Sequence, residues 1–238
     1  MMIFVGAGIS TASGIPDFRG PGGLWTRRRP VYYDDFMSSE PARVEYWDQK
    51  LEAWESYKDA QPNAVHHAIV ALERAGRVLA VVTQNIDGLH RRAGTSQDLL
   101  VELHGTDLLV ECQTCHETSD PAPHLAAFKA TQSPPRCVCG GFLKPATISF
   151  GQALRPADMD RAVAAAEGAD VVLAMGSTLS VYPAASIPLM AASRGVPYVI
   201  VNRGETEHDH YPSVTLRLDG DLTEIVPPAV DAALAAGR

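Results

Sequence analysis

The stretch Ile3-Phe4-Val5-Gly6-Ala7-Gly8-Ile9-Ser10 places two glycines directly behind a short apolar run. A run that is apolar on both faces reads as a strand of a parallel sheet covered on both sides. Glycines at its end let the backbone turn sharply and approach a phosphate, and the amides of a following helix start attract that charge. The dinucleotide fingerprint G-x-G-x-x-G is incomplete, because Thr11 stands where its third glycine belongs. By itself the turn supports two readings, a dinucleotide site or a tight structural turn.

Working outward, the same kind of run recurs at Val78 to Thr83, Leu99 to Leu103, Val171 to Met175, Tyr198 to Asn202 and Val214 to Leu218. Helical patterns fall between, at Pro41 to Tyr57, Ala64 to Arg74, Pro156 to Glu167, Pro183 to Ala192 and Leu222 to Ala235. Strand–helix alternation predicts an α/β fold, a doubly wound parallel sheet of Rossmann-like type with right-handed crossovers. Two stretches break the alternation. One, 24–76, is helical without a good strand; the other, 108–144, holds all four cysteines and many prolines. We read both as inserts that form a smaller lobe beside a larger one made of 1–23, 77–107 and 145–238, with a ligand cleft between.

Composition narrows the class. The 238 residues carry 20 Lys and Arg against 28 Asp and Glu, a net charge of -8, which argues against a broad nucleic-acid-binding face. No apolar run approaches the ~20 residues of a membrane span, and Met1 to Val5 lacks the basic flank of a secretory signal. The expectation is a soluble cytoplasmic protein, where paired cysteines more often hold metal than bridge. Oligomeric state is not legible.

The four cysteines stand as Cys112-Gln113-Thr114-Cys115 and Cys137-Val138-Cys139, with 21 residues between the pairs. Four thiolates complete a tetrahedral shell and mark a structural Zn2+ with no open position. Two disulfides or four free thiols are the alternatives, and a Cys-x-Cys bridge would be strained. His104 differs from the other seven histidines because it ends an apolar strand, where open α/β sheets line their cleft.

The longer string Gly6-Ala7-Gly8-Ile9-Ser10-Thr11-Ala12-Ser13-Gly14-Ile15-Pro16-Asp17-Phe18-Arg19-Gly20, with Gly23-Leu24-Trp25, resembles the sirtuin family of NAD-dependent protein deacylases. The resemblance continues through Thr83-Gln84-Asn85-Ile86-Asp87-Gly88-Leu89-His90, Leu103-His104-Gly105, the cysteine pairs, Phe150-Gly151, Gly176-Ser177-Thr178-Leu179 and Val201-Asn202. These motifs occur in the family's order over nearly the whole chain.

The resemblance implies an NAD-dependent protein-lysine deacetylase that consumes NAD as a cosubstrate and takes acetyl-lysine-containing proteins or peptides as partners. It assigns NAD contacts to Gly6, Ala7, Gly8, Ile9, Ser10, Ile15, Pro16, Asp17, Phe18, Arg19, Trp25, Gln84, Asn85, Ile86, Asp87 and His104. It adds Gly176, Ser177 and Thr178 for phosphate and ribose, Asn202 for the adenosine ribose, and Asp221 and Leu222 near the adenine. Asn85 and Asp87 hold carboxamide and ribose by directed hydrogen bonds, and His104 serves as general base on a ribose hydroxyl. The acyl carbonyl oxygen attacks C1′ of the nicotinamide ribose, and O-acyl-ADP-ribose leaves at the end. Ile148, Phe150 and Gly151 line the acyl-lysine channel, facing a rim at Ser180 to Tyr182 that includes Val181.

Neutral acyl groups are expected, acetyl first and longer chains second. The Tyr-x-x-Arg pair that selects succinyl or malonyl lysine in the family is absent, since Tyr46 is followed by Trp47, Asp48 and Gln49. Transfer of ADP-ribose to a protein from the same site is the second enzymatic reading, and a non-catalytic ADP-ribose-binding module the third. Arg27-Arg28-Arg29 and His208-Asp209-His210 read as surface loops, and Trp25, Trp47 and Trp54 as packing in the helical insert.

Overall fold

In the computed structural model, residues 1–17 and 28–236 are described. Their strands are β1 (Met2–Val5), β2 (Ala80–Thr83), β3 (Leu100–Glu102), β4 (Gly105–Cys112), β5 (Thr118–Ser119), β6 (Leu143–Thr147), β7 (Val172–Met175), β8 (Tyr198–Asn202) and β9 (Val214–Asp219). Their α-helices are α1 (Tyr33–Ser38), α2 (Glu40–Tyr57), α3 (Ala64–Arg74), α4 (Leu89–Ala93), α5 (Pro121–Thr131), α6 (Pro156–Gly168), α7 (Ser186–Ala192) and α8 (Leu222–Ala236). A 3₁₀ turn covers Ala7–Ser13.

Six strands form one parallel sheet in the order β3-β2-β1-β7-β8-β9. Successive side chains of a strand point to opposite faces. Met2 and Phe4 of β1 join one core with Ala162, Ala165 and Ile187 of α6 and α7, while Ile3 and Val5 join another with Val65, Ile69, Val226 and Val230 of α3 and α8. Both faces are therefore dry, which is why the strands read as unbroken apolar runs. The exception is β9, an edge strand with Leu216 47% exposed, so its expected two-sided burial does not hold.

Chain order reverses between β1 and β7, since β2 and β3 build outward on one side and β8 and β9 on the other. Such a switch point leaves a crevice at the carboxyl ends of the strands.

The helix starts follow local chemistry. Asn63 caps α3: its side chain accepts from Val65 N at 3.0 Å, and its own amide donates to His66 Nδ1. Ser39 and Asp120 cap α2 and α5, each with proline in the first turn. The cysteine-bearing segment is more regular than its sequence suggests. It folds as a three-stranded antiparallel sheet, β5-β4-β6, with α5 inserted. Pro145 lies within β6 opposite Val110, and the irregular register between Gly105 and Val110 blurs any alternation. A third core joins this sheet to the helical insert through Phe36, Tyr46, Trp47, Val110, Leu125 and Phe128. Trp47 is fully buried there and donates to Leu143 O at 3.1 Å.

Candidate active site

The carboxyl ends of β1, β2, β3, β7 and β8 carry Gly6, Gln84, the approach to His104, Gly176 and Asn202. Two turns meet at the switch point. Gly8 N donates to Gly176 O at 2.8 Å, and a Cβ on Gly8 would sit 2.7 Å from Gly176 Cα. A Cβ on Gly6 would meet Gly176 O and Ser177 Cβ, both at 2.8 Å. These glycines are required by backbone meeting backbone, so close packing of two turns explains them before any phosphate does. The helix expected behind them is the 3₁₀ turn, which Thr11 joins by donating its hydroxyl to Gly8 O at 3.0 Å.

Asn85 and Asp87 follow β2 and are both buried. Asn85 Nδ2 donates to Gly6 O at 3.1 Å and to Ser10 Oγ at 3.2 Å. Ser10 Oγ donates in turn to Asp87 Oδ2 at 2.7 Å, while Asp87 Oδ1 accepts from Leu89 N at 2.9 Å. Burial pushes the Asp87 carboxyl above its ordinary range, against the Leu89 amide and the Ser10 hydroxyl, which pull it down. Gln84 reaches across the crevice and donates to Ser177 Oγ at 2.9 Å. Ile86 O accepts from Asp107 N at 2.9 Å.

His104 sits where β3 gives way to β4. Gly105 takes φ +71°, and a Cβ there would lie 2.1 Å from Ala146 O, so only glycine permits the turn that leaves the imidazole over the crevice. His104 Nδ1 is 3.0 Å from Gln84 O, which fixes Nδ1 as the protonated nitrogen and leaves Nε2 with its lone pair. Burial lowers the imidazole pKa, partly countered by the Gln84 carbonyl. Ile148 N donates to His104 O at 2.8 Å, and Phe150 O accepts from Tyr33 N at 2.9 Å. The expected extended segment around Ile148 thus continues past β6, which ends at Thr147, without being strand itself.

The remaining positions divide. Thr178 Oγ1 pairs with Ser180 Oγ at 2.8 Å, and Val181 is half-buried on the same loop. Asn202 Nδ2 donates to Arg203 O and Gly204 O, both at 3.0 Å. Asp221 caps α8 through Thr223 and pairs with Arg203 at 2.5 Å, whereas Leu222 packs into the core under the sheet. Ile15, Pro16 and Asp17 follow the 3₁₀ turn, and Phe18, Arg19 and Trp25 lie outside the described residues. His208 is no surface residue: it is fully buried, 2.8 Å from Tyr198 OH. Arg28 pairs with Glu45, Asp48 and Glu52 of α2.

Sequence reasoning missed Asn63, whose Nδ2 donates to Ile9 O at 2.7 Å and Ser13 Oγ at 2.9 Å and so ties α3 to the 3₁₀ turn. Its signal was present, as an Asn between Pro62 and an apolar helical period. It also missed Asp107, buried against Lys50 and Tyr57. A single aspartate in an apolar run offered no partner to infer.

The four cysteine sulfurs lie within 4.8 Å of one another, unbridged, with Cys112 to Cys139 at 3.5 Å and Cys115 to Cys137 at 3.7 Å. Zinc–sulfur bonds of about 2.3 Å in a tetrahedron place sulfurs about 3.8 Å apart. The donor set therefore fits Zn2+. The Cys115 and Thr114 amides point at the Cys112 sulfur and bring that thiol down to about 6, toward the thiolate a metal needs. The polar groups at the switch point likewise fit a dinucleotide: the Gln84 and Asn85 amides, the Asp87 carboxylate and the Ser10 and Ser177 hydroxyls.

Comparison with known proteins agrees with this geometry. Residues 6–183 match the Sir2 family. The chain is 43% identical over 227 residues to NAD-dependent protein deacetylase 1 of Bradyrhizobium diazoefficiens, covering 95% of this chain and 89% of that protein. It is 42% identical over 231 residues to an NAD-dependent protein deacetylase of Haloarcula marismortui, covering 95% and 86%. A solved Sir2 structure with a deacetylated peptide and 3′-O-acetyl ADP-ribose superposes with a TM-score of 0.87 at 34% identity, over 99% of this chain and 92% of that one. Another, bound to a propionylated peptide, gives 0.85 at 33% identity, over 98% and 92%. The fold and the cysteine cluster agree with these matches, and the chain belongs to the Sir2 family.

Proposed function

We propose that this chain is an NAD-dependent protein-lysine deacetylase that releases nicotinamide and O-acetyl-ADP-ribose. One observation carries the reading: Asn85 and Asp87, bridged by Ser10, share a crevice with His104, all at the carboxyl ends of adjacent strands.

NAD supplies the electrophilic ribose carbon and the acceptor of the acyl group. Asn85 and Asp87 hold the nicotinamide end, Gln84 and Ser177 the middle of the cosubstrate, and Gly176, Thr178 and Asn202 the far end. His104 Nε2 takes the proton from the ribose hydroxyl. Its depressed pKa keeps the imidazole neutral, and hence a base, at neutral pH. The acyl-lysine enters beside Ile148, Phe150 and Gly151, opposite Val181. Main-chain pairing along that segment reads many peptide sequences.

Acetyl is the preferred acyl group, with longer neutral chains next. Four unbridged cysteines suit the reducing cytoplasm as the place of work. Residues 24–76 and 108–144 act as the smaller lobe, stapled by Zn2+.

The test is incubation with an acetyl-lysine peptide and NAD, products read by mass spectrometry. Deacetylated peptide, nicotinamide and O-acetyl-ADP-ribose should form in equal amounts. Nicotinamide release that needs no acetyl-lysine, with ADP-ribose appearing on protein, would instead favour the transferase reading.

A further inference from the structure

Behind the nicotinamide end of the crevice lies an ionic cluster that the proposed chemistry does not use. Asp107 is 3% exposed. Its Oδ1 accepts from Lys50 Nζ at 3.0 Å, and its Oδ2 accepts from the Tyr57 hydroxyl. Lys50 and Tyr57 are seven residues apart on α2, so they share one helix face. Asp107 itself is three residues past His104, and its amide donates to Ile86 O at 2.9 Å. One residue thus ties the helical insert, the strand leaving the catalytic histidine and the segment Asn85–Asp87.

We propose that Asp107 is a positioning residue: it fixes the Asn85–Asp87 segment and, with Lys50, sets the charge that stands behind the Asp87 carboxylate. The inference rests on the functional reading above, in which Asp87 meets NAD as a carboxylate.

Asp87 is faced by the Ser10 hydroxyl from the 3₁₀ turn, the Leu89 amide at the start of α4, Glu102 at the end of β3, and Asp107 of β4. Lys50 and Tyr57 stand behind Asp107 from α2, and His104 borders the same crevice. Asp107 and Glu102 both oppose ionisation of Asp87. Lys50 neutralises Asp107, which the buried Lys144 of β6 also faces. The two halves of this ion pair therefore act on Asp87 with opposite signs. A purely structural pair has no such property, because loss of either half breaks the same contact.

The experiment measures NAD affinity by calorimetry from pH 4 to 8 in four variants. Asp87→Asn should weaken binding and abolish its acid limb. Asp107→Asn removes a negative neighbour, so the limb should move to lower pH by about half to one unit. Lys50→Met strips Asp107 of its ion-pair partner and leaves Lys144 of β6 as the remaining cation, so the limb should move to higher pH by a similar amount. Buried charges left alone can prevent folding. The pair Lys50→Met with Asp107→Asn removes both members of the ion pair and should return the limb close to its original position. Shifts in the same direction, or none, while Asp87→Asn still removes the limb, overturn the inference and spare the functional reading. An unchanged limb in Asp87→Asn overturns both.

Discussion

His66 and His90 make the native state of this chain sensitive to mild acid. The two rings pack edge to face with centroids 5.1 Å apart, between α3 and α4. His66 is fully buried and His90 is 3% exposed. Burial brings them down to about 4 and about 3, with a smaller push from His67 on His66 and from His66 on His90. In the unfolded chain both titrate near 6.5. A base whose folded pKa lies below its unfolded value contributes full stability above the unfolded value. That contribution is lost as pH falls from about 6.5 toward the folded pKa. At pH 5 the unfolded state has gained about 2 kcal/mol per histidine from proton binding, so on the order of 4 kcal/mol for the pair. Against a typical total of about 5–15 kcal/mol, that is a large share.

The perturbation is His90→Phe. It keeps a planar ring of similar size and breaks no protein hydrogen bond, because neither His90 ring nitrogen has a partner among the described residues. Urea unfolding at pH 7.5 and pH 5 measures the loss in each protein. The variant should lose about 2 kcal/mol less than the wild type over that interval. His104 and His208 are also held low by burial, but they are common to both proteins and cancel in the difference. Equal losses in the two proteins would falsify the assignment of acid sensitivity to this pair.

Four further outcomes follow. His104→Ala should reduce deacetylation of an acetyl-lysine peptide by about 10²–10⁴-fold or more with the fold intact by circular dichroism; wild-type turnover would remove His104 from the chemistry. Wild-type activity should hold below pH 6.5 and fall as His104 protonates beneath its ordinary range, so a limb centred above 6.5 would contradict the burial of the ring. Gly8→Ala should cost about 1–3 kcal/mol in stability and weaken NAD binding, because its Cβ meets the Gly176 backbone at 2.7 Å; an unchanged melting temperature and affinity would show that the two turns can part. Elemental analysis should find one zinc per chain, and its removal by chelator should lower the melting temperature by about 10 °C, whereas metal-free protein of full stability would leave the thiols without that role.

The parallel sheet was legible because burial on both faces leaves strands such as Met2–Val5 and Val172–Met175 without a polar residue. The antiparallel sheet was not, because Pro145 and the irregular register near Gly105 hide its period. Site residues were legible where a side chain ends a strand, as Gln84, Asn85 and His104 do. They were hidden where the meaning lies in a partner distant in sequence. Ser10 looks like a loop serine until it bridges Asn85 and Asp87, and Lys50 like an exposed helix lysine until Asp107 faces it. His208 was misplaced for a related reason: its polar flanks Asp209 and His210 signal a surface, while the Tyr198 hydroxyl supplies the buried partner that sequence does not show.

The polar groups at the crevice already satisfy one another. Asn85 donates to Gly6 O and Ser10, Ser10 gives its proton to Asp87, and Gln84 donates to Ser177. Each bond crosses between elements that the parallel sheet holds at fixed spacing, so the donors are aimed before any ligand arrives. A ligand that enters here exchanges these bonds for its own rather than ordering loose side chains, which keeps the entropic cost of binding low. The same arrangement serves the reaction, since dipoles fixed in advance need not reorganise as charge develops. The cost falls on the two glycine turns, which must stay in backbone contact at Gly8 and Gly176 for Ser10 and Ser177 to remain in reach. Close packing of the turns is therefore part of the site, and the glycines that first read as a phosphate cradle act by holding its two halves together.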